Sequence, residues 1–206
     1  MTDPQNRLAA AFAAFDAANA ADPTIVHAEG RDWPKELLYA RQMSARLDRF
    51  APAASEVLRL AARCQHIRRW EIPRDAYPRD RVGYLKWRTE LKHMHARIAG
   101  EILAGLAFDA ATIGRVQSLM KKERLKQDPE AQTLEDVVCL VFLENWFAEF
   151  STQHDPDKVV DIVAKTWVKM SPAGHKAALE LAGGLPPEAL ALVQRALAGA
   201  GGDADA

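Results

Sequence analysis

Cysteine is nearly absent from this chain: Cys64 and Cys139 are the only two in 206 residues. They stand far apart, each in an apolar helical stretch, which suits buried thiols in a reducing compartment and argues against a disulfide framework. Long hydrophobic runs are missing too, with nothing near the ~18 consecutive apolar residues of a spanning helix. The start Met1-Thr2-Asp3-Pro4-Gln5 lacks the basic stretch and apolar core of an export signal. The expectation is a cytoplasmic protein without a membrane segment. Nor does one sign of charge dominate: 27 Lys plus Arg stand against 28 Asp plus Glu. That balance disfavours a general nucleic-acid or membrane-surface binder, so an anionic partner must be met locally. Strand-like alternation is scarce, and no repeat of fixed period is visible.

What the chain does have is helical periodicity broken by Pro, Gly and Asp. Asp3-Pro4 caps a first helix with the stripe Leu8, Ala11, Phe12 and Phe15. Asp32-Trp33-Pro34 opens a second helix to about Phe50, and Ser55 a third that ends near Trp70. Pro73 and Pro78 then force an irregular connection. Further helices are expected over about 82–106, 109–126, 129–150 and 157–170, with Pro172 and Pro186 opening two more. The fold class is all-α: one helical domain over residues 1–170, a helical extension over 171–198 and a disordered tail over 199–206. A chain of this length can bury about 70% of its unfolded surface.

Three helices carry unusual chemistry. On the fourth, Trp87, Leu91, Met94, Ile98 and Ile102 share an arc with His95, whereas His93 falls on the charged side. His95 should face inward, as a core imidazole or as part of a site. The sixth helix is apolar nearly all round, and Asp136 lies on the arc of Leu140, Leu143 and Phe147. An ionised carboxylate there needs a partner: an arginine, a metal or a catalytic imidazole. On the third helix, Val57, Leu60, Ala61, Cys64 and Ile67 form the apolar side. His66 falls opposite, with Arg59, Arg63 and Trp70. If that face is covered, imidazole and guanidinium groups converge on an anion-sized space. Arg63, Arg69, Arg74 and Arg88 with Lys35 are the candidate phosphate contacts, and Trp70 and Trp87 the candidate stacking faces. A solvated basic loop is the plain alternative.

Several blocks resemble a bacterial and fungal family carrying a domain-of-unknown-function label (DUF4202-like). They are Pro34 to Tyr39, Arg63 to Trp70 with Pro73 and Arg74, Gly83 to Arg88, and Leu134-Glu135-Asp136 with Leu140 to Glu144. The resemblance covers about Phe12 to Met170 and implies no activity. A more distant one is to HD-type metal-dependent phosphohydrolases, whose His-Asp doublet closes an apolar helix. Here Leu60-Ala61-Ala62-Arg63-Cys64-Gln65-His66 follows that pattern with Gln65-His66 as the doublet. His95 before Gly100-Glu101-Ile102-Leu103 is similar to the later His of those enzymes, and Asp136 to their late Asp. Their early His has no match, since the corresponding helix reads Lys35-Glu36-Leu37-Leu38-Tyr39-Ala40.

The HD resemblance implies an HD-like helical bundle. It also implies a pocket where His66, His95 and Asp136 act as catalytic residues and hold a divalent metal, Mn, Zn or Fe, to hydrolyse the phosphate ester of a nucleotide-like substrate. Two other readings stay open. One is a non-catalytic module binding an anion, a nucleotide or, less favoured, RNA. The other is a helical interaction protein with Trp146, Phe147, Phe150 and Trp167 as anchors.

Overall fold

Short polar residues ahead of the apolar runs supply the acceptors that helix N-termini need. In the computed structural model, which describes residues 4–201, Ser55 Oγ accepts from Leu58 N, Asp80 from Gly83 N, Asp109 from Thr112 N and Ser171 Oγ from Gly174 N. Each cap starts a helix at its place. The chain divides into two compact units, Met1–Ala131 and Gln132–Ala206. The expected boundary after residue 170 thus lies inside the second unit.

The first unit contains α1 (Pro4–Asn19), β1 (Ile25–Ala28), β2 (Arg31–Pro34), α2 (Lys35–Phe50), α3 (Glu56–Arg63), α4 (Arg81–Gly105) and α5 (Ala110–Lys121). α3 packs against α1, α2 and α5, α1 also meets α2 and α4, and α4 pairs with α5. Met43, Leu60, Ala61, Cys64, Ile67, Leu103 and Val116 are buried in this unit. Asp3, the expected cap of the first helix, lies outside the described residues. Arg115 is paired with both Asp128 and Glu130, tying α5 to the start of α6 (Pro129–Asn145). That hydrogen-bonded guanidinium holds the Asp128 carboxyl down at about 2.

Two local features depart from the helix-only reading. β1 and β2 form an antiparallel hairpin pairing Val26 with Trp33 and His27 with Asp32. Its turn sets Glu29 at φ 54° and Gly30 at φ 73°, the pair of positive angles that matches strand twist. The hairpin takes up Asp32 to Pro34, so α2 begins at Lys35. α3 likewise stops at Arg63, well short of Trp70; the chain goes on through turns, a left-handed Arg68 and a short 3-10 turn, Arg69–Glu71.

The second unit holds the rest of α6, then α7 (Phe147–Thr152), α8 (Pro156–Trp167), α9 (Pro172–Ala182) and α10 (Pro187–Gly201). α10 packs on α8 and α7 around Phe147, Val159, Ala182, Ala189 and Val193. Phe147 is fully buried, Phe150 packs against this core, and Trp167 stacks on His175 at 3.7 Å. These aromatics serve their own unit. α10 runs through Gly199 to Gly201, and residues 202–206 of the expected disordered tail lie outside the described residues. Among the described residues no helix is long and apolar enough to cross a membrane.

Candidate functional site

Where α3 ends decides where His66 points. The wheel that put His66 across from the apolar side holds only while the helix continues, and it does not. After Cys64 the chain turns, Ile67 N donating to Cys64 O and Arg69 N to His66 O. The His66 imidazole then lies against Tyr39 of α2, ring centroids 4.2 Å apart and 11° from parallel. His95 of α4 is also near it, at 6.0 Å between centroids. His95 is 4% exposed, whereas His93 is solvent-facing. Its Nδ1 lies 2.7 Å from Ile67 O, so the neutral ring donates there and leaves Nε2 with a lone pair. Nothing pairs with that nitrogen.

Glu36, in the first turn of α2, is the side chain that sequence reasoning passed over. Its Oε2 lies 3.4 Å from His66 Nδ1 and its Oε1 4.0 Å from Arg69 Nε. Oε2 has no hydrogen-bond partner and is buried. The signal was present in the sequence: Glu36 shares the helical stripe of Tyr39, Ala40, Met43 and Leu47, all buried. The Arg69 guanidinium lies over the Trp87 ring at 4.8 Å, which fixes its plane.

Two buried side chains hold these elements in register. Asn19, at the end of α1, accepts from Arg68 N and donates Nδ2 to Glu36 O. Asp22 accepts from Glu36 N through Oδ2 and from Thr24 N through Oδ1. Together they support the left-handed turn that delivers His66 and Arg69, and the helix start that delivers Glu36.

The electrostatics are unusual for a packed core. Burial lowers the His66 pKa far below the ordinary imidazole value, and the cations Arg69, Arg88, Lys122 and Lys35 push it the same way. Burial also takes His95 down to about 3, with His66 contributing. Glu36 moves in the opposite direction: burial raises it, against the lowering by Arg69, Lys35 and His95. At neutral pH the site therefore holds two uncharged imidazoles beside a carboxyl that keeps its proton more tightly than usual. It reaches the surface through His66 and Arg69, whose side chains are 22% and 24% exposed.

The other expected contacts are engaged elsewhere. Arg63 makes a two-pronged pair with Asp16, Nε to Oδ1 at 2.8 Å and Nη2 to Oδ2 at 2.6 Å, and donates to Ser44 Oγ. Arg74 donates to the carbonyls of Tyr77 and Pro78. Trp87 is buried, its Nε1–H given to Ile72 O, so its face supports Arg69. Trp70 is half-buried in the 3-10 turn, and Gln65 is buried with Oε1 unpaired. Lys35 and Arg88 act on His66 through their charge.

Asp136 belongs to the second unit and has partners there. Oδ1 accepts from Ser171 N at 2.9 Å and from Gln132 Nε2 at 3.1 Å, and Oδ2 from Ser171 Oγ at 2.6 Å. Ser171 in turn caps α9, so the carboxylate anchors that helix start to α6. Among the described residues, no group of three or more His, Cys, Asp and Glu side chains is arranged to hold a metal ion.

The class these features define is an all-α protein carrying a buried imidazole–carboxyl–guanidinium cluster. The chain belongs to the family described as Domain of unknown function (DUF4202), whose model matches residues 9–193. No curated protein and no solved structure matches it.

Proposed function

We propose that the first unit binds a phosphorylated small molecule at the Glu36–His66–Arg69–His95 cluster and hydrolyses its phosphate ester. One observation carries the reading: a buried carboxyl lies 3.4 Å from a neutral imidazole and 4.0 Å from a guanidinium, with further cations acting on that imidazole. Cations surrounding an uncharged base suit an anion that brings its own charge. With Nδ1 turned to Glu36, His66 Nε2 takes a proton from water. The water oxygen bonds to phosphorus as the ester P–O bond breaks, and the departing alkoxide recovers the proton from the imidazolium. Arg69 and Arg88 stabilise charge on the phosphoryl oxygens. Glu36 orients the imidazole, and the opposed pKa shifts of the two groups suit an acid–base pair.

The test is a panel of phosphate monoesters and nucleotides, read by thermal shift and by phosphate release, with and without Mn²⁺. A ligand at ~100 times its dissociation constant contributes about 2.7 kcal/mol of stability. His66→Asn is expected to keep the shift and lose turnover by about 100-fold or more, while Arg69→Ala loses the shift. No shift across the panel contradicts the reading. Turnover that requires added Mn²⁺ contradicts the assignment of His66 as the base.

A further inference from the structure

The cluster offers more than positive charge, and what else it offers narrows the ligand. A bare phosphate dianion brings acceptors only, which satisfies Arg69 and the cations around His66. It does nothing for His95 Nε2, a lone pair on a residue 4% exposed with no donor near it. Glu36 Oε2 is a second buried polar atom with spare hydrogen-bonding capacity, its approach to His66 Nδ1 being a long 3.4 Å. Buried polar atoms in native proteins are paired in the great majority of cases, so two orphans at one site call for a partner from outside. Both orphans belong to the cluster: the other oxygen of the Glu36 carboxyl, Oε1, lies 4.0 Å from Arg69 Nε, and the His95 ring lies 6.0 Å from that of His66.

Resting on the phosphate reading above, we infer that the substrate is a polyhydroxylated phosphate monoester, a short polyol or sugar phosphate. Its phosphate meets Arg69, and a hydroxyl beyond the ester oxygen donates to His95 Nε2. A second hydroxyl pairs with Glu36 Oε2. His95 is then a specificity-determining residue: its Nδ1 is fixed by Ile67 O, which commits Nε2 to acceptance. A ligand of equal charge and length without hydroxyls leaves that nitrogen buried and unpaired, the kind of mismatch that polar sites reject most strongly.

The experiment compares glycerol 1-phosphate with n-propyl phosphate, matched in charge and carbon number, and with inorganic phosphate, by calorimetric titration of the full chain. Glycerol 1-phosphate is expected to bind about tenfold tighter than propyl phosphate or better, and His95→Leu to bring the ratio to about one by weakening glycerol 1-phosphate more than propyl phosphate. If His95→Leu does not fold, Glu36→Gln replaces it and should alter the same ratio. Equal affinity of the two esters for the unaltered protein overturns the inference and leaves the phosphate reading standing. Failure of all three compounds to bind overturns both.

Discussion

His95 has one nitrogen committed to Ile67 O and the other facing no donor, and its burial makes it a reporter of acid stability. The fold lowers its pKa from the ordinary 6.5 to about 3. Unfolded chains therefore take up the proton first as pH falls below ~6.5, and stability present above that value drains away toward the folded pKa. Between pH 7.5 and 5 the loss from this one group is about 2 kcal/mol. His66 works in the same direction. Glu36, raised above 4.5, works against them, because it holds its proton longer in the folded state. Urea midpoints measured from pH 7.5 to 5 should fall, and His95→Gln should flatten the slope; an identical slope in the variant contradicts a buried neutral imidazole. Arg63 makes a second residue-scale case. Held by Asp16 and Ser44, it braces α1 against α2 and α3. Arg63→Ala should cost about 1–3 kcal/mol of stability without changing phosphate affinity, whereas a selective loss of affinity would return it to the ligand.

The elements are held by a few close approaches, and the same substitution tests them with opposite sign. A Cβ at Gly174 would stand 2.6 Å from Asp136 Oδ1, inside the network that anchors the start of α9. Gly174→Ala should destabilise by about 1–3 kcal/mol. A Cβ at Gly114, exposed in the middle of α5, meets nothing within 4 Å, and Gly114→Ala should stabilise by about 0.4–1 kcal/mol. Urea midpoints read both, and equal effects would contradict the packing described at Asp136. Asn19→Ala tests the turn after α3: it strips a partner from Arg68 N, so stability should drop by about 1–3 kcal/mol. Phosphate affinity should fall with it, because Arg69 and His66 lose their support.

The helices were legible because their caps are local: Ser55, Asp80, Asp109 and Ser171 stand where the chain needs acceptors, and each starts an observed helix. The hairpin was not. Its strands are four residues each, with His27 and Asp32 paired on the exposed side, too short a run for alternation to show. The end of α3 was hidden for a different reason. Nothing between Cys64 and Trp70 breaks a helix by propensity, and the left-handed Arg68 is held by Asn19, which comes 49 residues earlier.

At the scale of the whole molecule, a formal net charge of −1 conceals a local concentration of cations. Lys35, Arg69, Arg88 and Lys122 all act on His66, although they come from α2, the 3-10 turn, α4 and the left-handed cap of α5. The sequence announced His66, His95 and Arg69 as chemistry-bearing residues. It could not announce which would meet, since a buried carboxylate is visible as such only when its stripe is known. Glu36 was read as part of a block and Asp136 as a carboxylate in need of a partner, whether an arginine, a metal or an imidazole; the first lies in the cluster, and the second accepts from Ser171 and Gln132. The central claim is that this cluster in the first unit is a phosphate site. It is tested most directly by titrating the full chain with inorganic phosphate while following the imidazole resonances of His66 and His95 by NMR. The His66 resonances should shift and saturate, and Arg69→Ala should abolish the response. Saturable binding that leaves the His66 ring unmoved, or no binding at all, would contradict the claim.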